Sequence, residues 1–414
     1  MSQRPSSRFV VDVTPLRESP RFRRLYFGHS LGYLGRELTT VAVPYQVYLL
    51  TESTLAVGAL GIVQFVPLML VSLVGGAVVD AVDRRLVLVV SQFLLAMTAV
   101  GLAVNAASSN PAVWPLFVLS GLSAGLSGFE GPARMSAVPS VLPRRLLASG
   151  FALNQTLSEV ASAVGPALAG FVIARFSLAL TYGLQAFTFL VAAMALIGLG
   201  TMRPEGGGRA VSLSSIGEGL RYLKGQRLIQ SCFLIDINAM VFGMPRALFP
   251  ALGTVFFAGD ATTVGLLYAA PGAGALVAAV TSGWVSGVNR RGRVVVGAVI
   301  VWGVAIAVFG VVPFLPVALL LLGVAGAADV ISAVFRNTIL QLTVPDSLRG
   351  RLSSIHAAVV GGGPRLGDLE AGAVAAATSI RFSVVSGGIA CILGAVALAR
   401  LMPELWNYRD TEVD

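Results

Sequence analysis

Seven carboxylates and five arginines stand inside stretches of chain that are otherwise almost free of charge. They are Glu37, Glu130, Glu159, Asp236, Asp329, Asp368 and Glu370 against Arg36, Arg134, Arg246, Arg336 and Arg365. An ionisable group in hydrocarbon is costly, so each is expected to face a cavity or a partner. A carboxylate in such a place can take up and give back a proton when a moving arginine changes its surroundings. Glu37, roughly 20 Å into its helix at 1.5 Å per residue, and Glu159 and Asp329 at similar depth are the candidates for that exchange. Tyr33, Arg36, Tyr45, Phe242, Arg246 and Arg336 supply aromatic faces, hydroxyls and positive charge for a candidate substrate cavity. Other charges have a plainer reading. Glu130 and Arg134, four residues apart, are expected to brace one another, and Arg365 and Asp368, three apart, to lock their own helix. Asp236 reads as a charge near a helix end, reached by water. His29 and His356 read as interfacial polar residues.

The elements that hold these groups are membrane helices. Hydrophobic residues make up 56% of the chain and charged ones 12%, against about 25% charged in a soluble domain. Residues 53–79, 86–129, 177–202 and 294–328 contain no Asp, Glu, Lys or Arg, and each run exceeds the roughly 20 residues that cross a bilayer. Divided at charged and turn-forming breaks, the chain gives twelve spanning helices, the seventh an unbroken stretch over 228–257. The expected organisation is an N-terminal tail (1–21), a six-helix bundle (22–202), a linker with a possible interfacial helix (203–227), a second six-helix bundle (228–402) and a C-terminal tail (403–414). Arginines crowd the tail, the linker and alternate loops, which places both termini in the cytoplasm and the protein in the cell membrane as a multi-pass monomer.

Several function classes are disfavoured. The net charge of +9 is spread over alternate helix ends rather than gathered in a patch, so no nucleic-acid partner is expected. Cys232 and Cys391 lie apart within helices and offer neither a disulfide framework nor a zinc site. No Gly-rich Lys-Ser/Thr loop for ATP is present, and two boundary histidines do not build a hydrolase. No enzyme activity, cofactor or metal is expected; the partners are a small-molecule substrate, protons and the lipid bilayer.

Landmarks of the first half recur about 206 residues later: Pro44 is answered by Pro250, Gly58 by Gly265, Gly76 by Gly283, Arg84-Arg85 by Arg290-Arg291, and Pro139 by Pro345. Two copies of a membrane unit related by a pseudo-two-fold axis are the plan of a carrier whose halves rock about a shared site.

Residues 75–85, GGAVVDAVDRR, between the second and third helices, resemble the cytoplasmic signature of the major facilitator superfamily. The resemblance implies a conformational latch made of Gly76, Asp80, Arg84 and Arg85: small residues let two helices approach, and Asp80 pairs with an arginine or caps a helix end. It also implies the all-α fold of two pseudo-symmetric six-helix bundles, with helices one, four, seven and ten lining the cavity. The segments FRRLYFGHSLGYLGRELTTVAVPYQVYLLT, GPARMSAVPSVLPRRLLASGFALNQ and PDSLRGRLSSIHAAVVGGGPRLGDLEAG extend the likeness over nearly the whole chain. They are most similar to the bacterial branch that contains the enterobactin exporter and drug efflux carriers. Gly165, Pro166 and Gly170 on helix five resemble the glycine-proline motif of proton-driven antiporters, though Ala169 replaces a usual glycine. The expectation is a secondary exporter of a small hydrophobic or aromatic molecule, a drug or siderophore, in exchange for protons. An importer or proton symporter is the alternative within the fold, and a membrane-embedded sensor the alternative of another class.

Overall fold

The computed structural model describes residues 12–202, 221–282 and 287–409, and among them there is no strand. The long helices are α1 (Pro20–Thr51), α2 (Thr54–Ala81), α3 (Arg84–Ala107), α4 (Trp114–Val141), α5 (Leu147–Arg175) and α6 (Leu178–Ile197), then α7 (Arg227–Phe242), α8 (Ala261–Val280), α9 (Arg291–Phe309), α10 (Leu315–Thr343), α11 (Asp346–Ala377) and α12 (Ile380–Leu401). Among the described residues, nine helical stretches are long and apolar enough to cross a membrane, that of α7 only when it is followed on through Phe256. The three that fall short, α1, α4 and α11, carry Arg36 with Glu37, Glu130 with Arg134, and Arg365 with Asp368 and Glu370. The expected interfacial helix of the linker lies largely outside the described residues.

Helix starts follow from local chemistry. Ser19, Ser53, Asp83, Ser177, Asp260 and Ser379 each accept a hydrogen bond from a first-turn amide of the helix they precede, satisfying donors that would otherwise be orphaned. The outward faces are apolar: Leu70, Val104, Phe187 and Leu393 are exposed, as suits helices surrounded by lipid.

Helix packing repeats with a step of six. In the first half α3 packs on α6 and α4, α2 on α4, and α1 on α6 and α5; in the second half α9 packs on α12 and α10, α8 on α10, and α7 on α12 and α11. The halves meet along two seams, α2 with α11 and α5 with α8, which are equivalent under the same step. The two six-helix bundles are therefore pseudo-symmetric. In each half the first helix starts beside the end of the sixth: Arg24, early in α1, donates to Gly198 O beyond α6, and Arg227 at the start of α7 pairs with Glu404 after α12.

The seams are tightest towards the other end, where backbone lies on backbone. Thr54 Oγ1 donates to Gly372 O at 3.1 Å. A Cβ on Gly372 would sit 3.1 Å from Gly58 Cα, and one on Gly265 would sit 2.8 Å from Gly170 Cα. Gly58 and Gly265 thus hold equivalent places in equivalent seams, where the absence of a side chain permits the approach.

One element departs from the symmetry. Where α1 runs unbroken past Pro44, the stretch expected as a single helix over 228–257 stops at Phe242. It resumes as a 3-10 turn at Arg246–Leu248, a short α segment at Phe249–Ala251 and a π turn at Leu252–Phe256. Pro245 has no amide to donate and pushes the residue before it out of the α conformation, so Gly243-Met244-Pro245 ends the helix.

Candidate functional site

A break in a membrane helix exposes peptide groups that have no water to bond. Here three neighbouring helices supply the partners. Trp302 Nε1 on α9 donates to Gly243 O at 2.7 Å, Tyr268 Oη on α8 donates to Arg246 O at 3.0 Å, and Ala247 N donates to Asp368 Oδ1 on α11 at 3.0 Å. The turn so fixed carries Arg246 into a cavity of about 200 Å³ between α5, α8, α9, α10 and the break, whose lining includes Glu159, Ser162, Phe249, Trp302 and Asp329. A dry cavity of about 150 Å³ admits benzene, so this space suits one substituted aromatic ring.

Arg246 has no ion-pair or side-chain hydrogen-bond partner among the described residues. Two carboxylates, Glu159 on α5 and Asp329 on α10, line the same cavity, and Asp368 on α11 accepts from the amide next to Arg246. Glu37 reaches this region because Gly165 on α5 leaves room for it: a Cβ on Gly165 would sit 2.9 Å from Glu37 Cγ. Glu159 is held by Gln155, whose Nε2 donates to Glu159 Oε1 at 2.7 Å. Glu159, Asp329 and Arg246 therefore share one cavity wall, and Glu37 packs on α5 at Gly165, outside that lining.

Four of the remaining charges form two buried nodes, one in each half. In the first, Arg36 on α1 is ion-paired with Glu130 on α4, and Gln92 Nε2 on α3 also donates to Glu130. The Tyr33 ring lies 5.7 Å from the Arg36 guanidinium carbon. In the second, Arg336 on α10 pairs with Asp236 on α7 at 2.6 Å and donates to Ser332 Oγ at 2.8 Å. Glu130 and Arg336 stand one repeat period apart, so the same place in each half is charged with opposite sign.

These contacts correct several expectations. Glu130 and Arg134 do not brace each other: Glu130 faces the α1–α3–α4 interior and takes Arg36 and Gln92, while Arg134, one turn further along, contacts His29 Nε2 at 2.8 Å. Arg365 and Asp368 are not ion-paired either, since the orphaned amide of Ala247 claims the Asp368 carboxylate. Arg365 Nη1 turns back to donate to Gly361 O at 2.5 Å. Asp236 is not a water-reached helix end but fully buried. Of the six substrate-cavity candidates, the cavity gathers Arg246; Tyr33 and Arg36 belong to the first node, Arg336 to the second, Tyr45 packs on the core, and Phe242 is exposed beside the break.

The antiporter-like motif lies along the α5–α8 seam: beyond the Gly165 contact, a Cβ on Gly265 would meet Pro166 O at 2.6 Å as well as Gly170. In the latch segment, Arg84 Nη1 donates to Ser136 O at 3.4 Å and Arg85 contributes its amide to Asp83; Gly76 and Asp80 lie outside the residues whose side-chain surroundings are described. Asp83, not singled out from the sequence, accepts from Arg85 N at 2.9 Å and Met202 N at 3.0 Å, tying α3 to the end of α6. An aspartate directly ahead of a helix was the signal for it. Trp302 was also missed, and its signal was an indole N–H that needs a partner inside an apolar helix.

Two six-helix bundles in step-of-six symmetry, with a polar cavity near their junction, define a membrane transporter of the major facilitator type. The chain belongs to the transmembrane secretion effector family, whose profile matches residues 11–412. The enterobactin exporter EntS of Citrobacter koseri is 27% identical over 405 residues, covering 97% of this chain and 96% of the relative. The enterobactin exporter EntS of Escherichia coli strain K12 is 26% identical over 407 residues, covering 97% of each. Among solved structures, the nucleoside transporter NupG superposes with a TM-score of 0.70 at 12% identity, covering 94% of this chain and 100% of that one. A D-xylose-proton symporter gives 0.73 at 15%, covering 92% and 98%. At such identities these structures share the fold alone. The protein is a multi-pass membrane transporter that handles a small-molecule substrate, and not an enzyme.

Proposed function

We propose that this protein is a secondary exporter that carries a small anionic aromatic molecule of the siderophore or drug class by alternating access, as a single chain in exchange for protons. Arg246 is the substrate contact. The observation that carries this reading is the contrast between three arginines: Arg36 and Arg336 are committed to buried carboxylates, and Arg246 faces the cavity without an ion-pair partner among the described residues. An aromatic carboxylate or catecholate in that space would complete its hydrogen bonding, with Phe249 and Trp302 beside the ring. Enterobactin, the substrate in the relatives' name, exceeds the present volume, so a molecule of that size would enter only as the halves part.

Glu37, Glu159 and Asp329 are the proton carriers in this reading. They share the field of Arg246 or the wall of its cavity, so a substrate anion arriving at Arg246 changes the charge each of them feels. The arginine-rich end that holds both termini faces the cytoplasm, and the close glycine seams then seal the outer side. Gly76, Asp80, Arg84 and Arg85 latch the inner side, and the two buried nodes keep each half rigid as it rocks.

The test is transport in proteoliposomes under an imposed pH gradient, with Glu37→Gln, Glu159→Gln and Asp329→Asn made singly. Gradient-driven uptake into inverted vesicles should fall while binding persists in at least one variant. Unchanged flux in all three rejects the proton assignments, flux in the opposite direction identifies an importer, and binding without net movement identifies a sensor.

A further inference from the structure

We infer that Asp368 and Tyr268 are positioning residues that set the protein's preference for anionic substrates by holding a single peptide group, the one between Arg246 and Ala247. This rests on the reading of Arg246 as the substrate contact. The carbonyl of that peptide accepts from Tyr268 Oη and its amide donates to Asp368 Oδ1, each at 3.0 Å. Both polar ends of the plane are therefore gripped, one from α8 and one from α11.

Such a grip is needed because of the conformation that bears it. Arg246 lies in a turn of three residues between a helix end and a short α segment; its carbonyl accepts from the Phe249 amide within the turn, and the Ala247 amide finds its acceptor outside it on Asp368, so the side chains from α8 and α11 complete the hold on the plane. Orienting the plane orients the Cα–Cβ bond of Arg246, and with it the guanidinium aimed into the cavity. The Tyr268 ring is itself held edge-on to Phe249 at 5.0 Å, and Asp368 lies on the α11 turn against which Gly58 packs. The support reaches from the α2–α11 seam and from α8, which lies on the α5–α8 seam, so Arg246 is anchored to both surfaces where the halves touch.

Asp368 would otherwise be counted among the proton carriers, since it too is an embedded carboxylate near an arginine. The geometry distinguishes the roles. A positioning residue needs an acceptor oxygen at Oδ1, which asparagine also has; a carrier needs a titrating group, which asparagine lacks.

The experiment uses the purified full chain with toluene-4-sulfonate as the anionic probe and toluene-4-sulfonamide as its neutral counterpart, with Kd measured by calorimetry. The native chain should bind the sulfonate more tightly than the sulfonamide; equal affinity, or no binding of either, rejects the anion reading itself. Given that preference, Asp368→Ala and Tyr268→Phe should each weaken sulfonate binding about tenfold, as for loss of one hydrogen bond, and leave the sulfonamide unchanged. Asp368→Asn should restore sulfonate affinity to within about twofold. In an Arg246→Gln background, Asp368→Ala should change nothing further, because its effect passes through the arginine. Equal losses for both probes, additive losses with Arg246→Gln, or an Asp368→Asn variant as impaired as Asp368→Ala would overturn the assignment.

Discussion

Replacing Gly265 by alanine tests whether the glycine seams are a gate. The new Cβ would lie 2.6 Å from Pro166 O and 2.8 Å from Gly170 Cα, where carbon contacts relax at about 3.5–4.0 Å. Both neighbours are backbone, so no side chain can swing aside, and α5 and α8 must part by about 1 Å. Overpacking of this kind costs about 1–3 kcal/mol, and it falls only on conformations in which the seam is closed. A penalty of that size moves a two-state equilibrium by about 5- to 150-fold, here towards the outward-open state. The assay is labelling of Ser162→Cys, a cavity position, by a membrane-impermeant thiol reagent added outside intact cells. Cys232 and Cys391 are both buried, so the background is low. Gly265→Ala should speed labelling, and Gly183→Ala, whose Cβ would have nothing within 4 Å, should not. A folded Gly265→Ala protein that labels at the native rate would show that this seam does not open during the cycle.

Other consequences can be measured directly. Arg246→Gln should abolish the preference for anionic over neutral aromatic probes without lowering the melting temperature, read by calorimetry and thermal unfolding. Asp236→Ala strands a buried guanidinium and should cost about 3–5 kcal/mol, while the double replacement Asp236→Leu with Arg336→Met should recover most of that stability. Trp302→Phe leaves Gly243 O unbonded in an apolar setting and should destabilise by about 1–3 kcal/mol, with loss of transport on mild heating. At the N-terminus, hydrogen bonds from Thr14 and then Ser149 hold the Asp12 carboxyl below its usual 3.8. A depressed value stabilises the folded form at neutral pH, and that contribution is lost as pH falls through it. Protease protection of this segment should therefore be constant above pH 3.8 and weaken gradually as pH falls below it, and Asp12→Asn should remove that pH dependence.

What was legible in the sequence was whatever hydrophobicity and spacing determine locally. Charge-free runs located the spans, serine and aspartate caps fall at their starts, and Gly58 with Gly265 marked equivalent places in the repeat. The break in α7 was not foreseen, because apolar composition continues through Gly243-Met244-Pro245 and masks a backbone effect. Partner choice was illegible for a different reason. Glu130 had an arginine four residues away on its own helix and took one from α1, and Asp368 passed over Arg365 for the peptide amide of Ala247. Both choices follow from which groups the assembled helices leave unsatisfied, and that is known only once the helices are packed. Arg246, Glu159 and Asp329 were each visible as embedded charges, yet nothing local said that they share a wall.

The reversed charge at Glu130 and Arg336 bears on how the two halves came to differ. In one half the cation sits on the first helix and the anion on the fourth; in the other the order is exchanged. Under the step of about 206 residues Arg36 corresponds to Phe242 and Asp236 to Ser30, so the second ion pair uses another position of its first helix rather than the same pair with both signs exchanged. A chain assembled from two copies of either half would therefore not reproduce this protein's electrostatics.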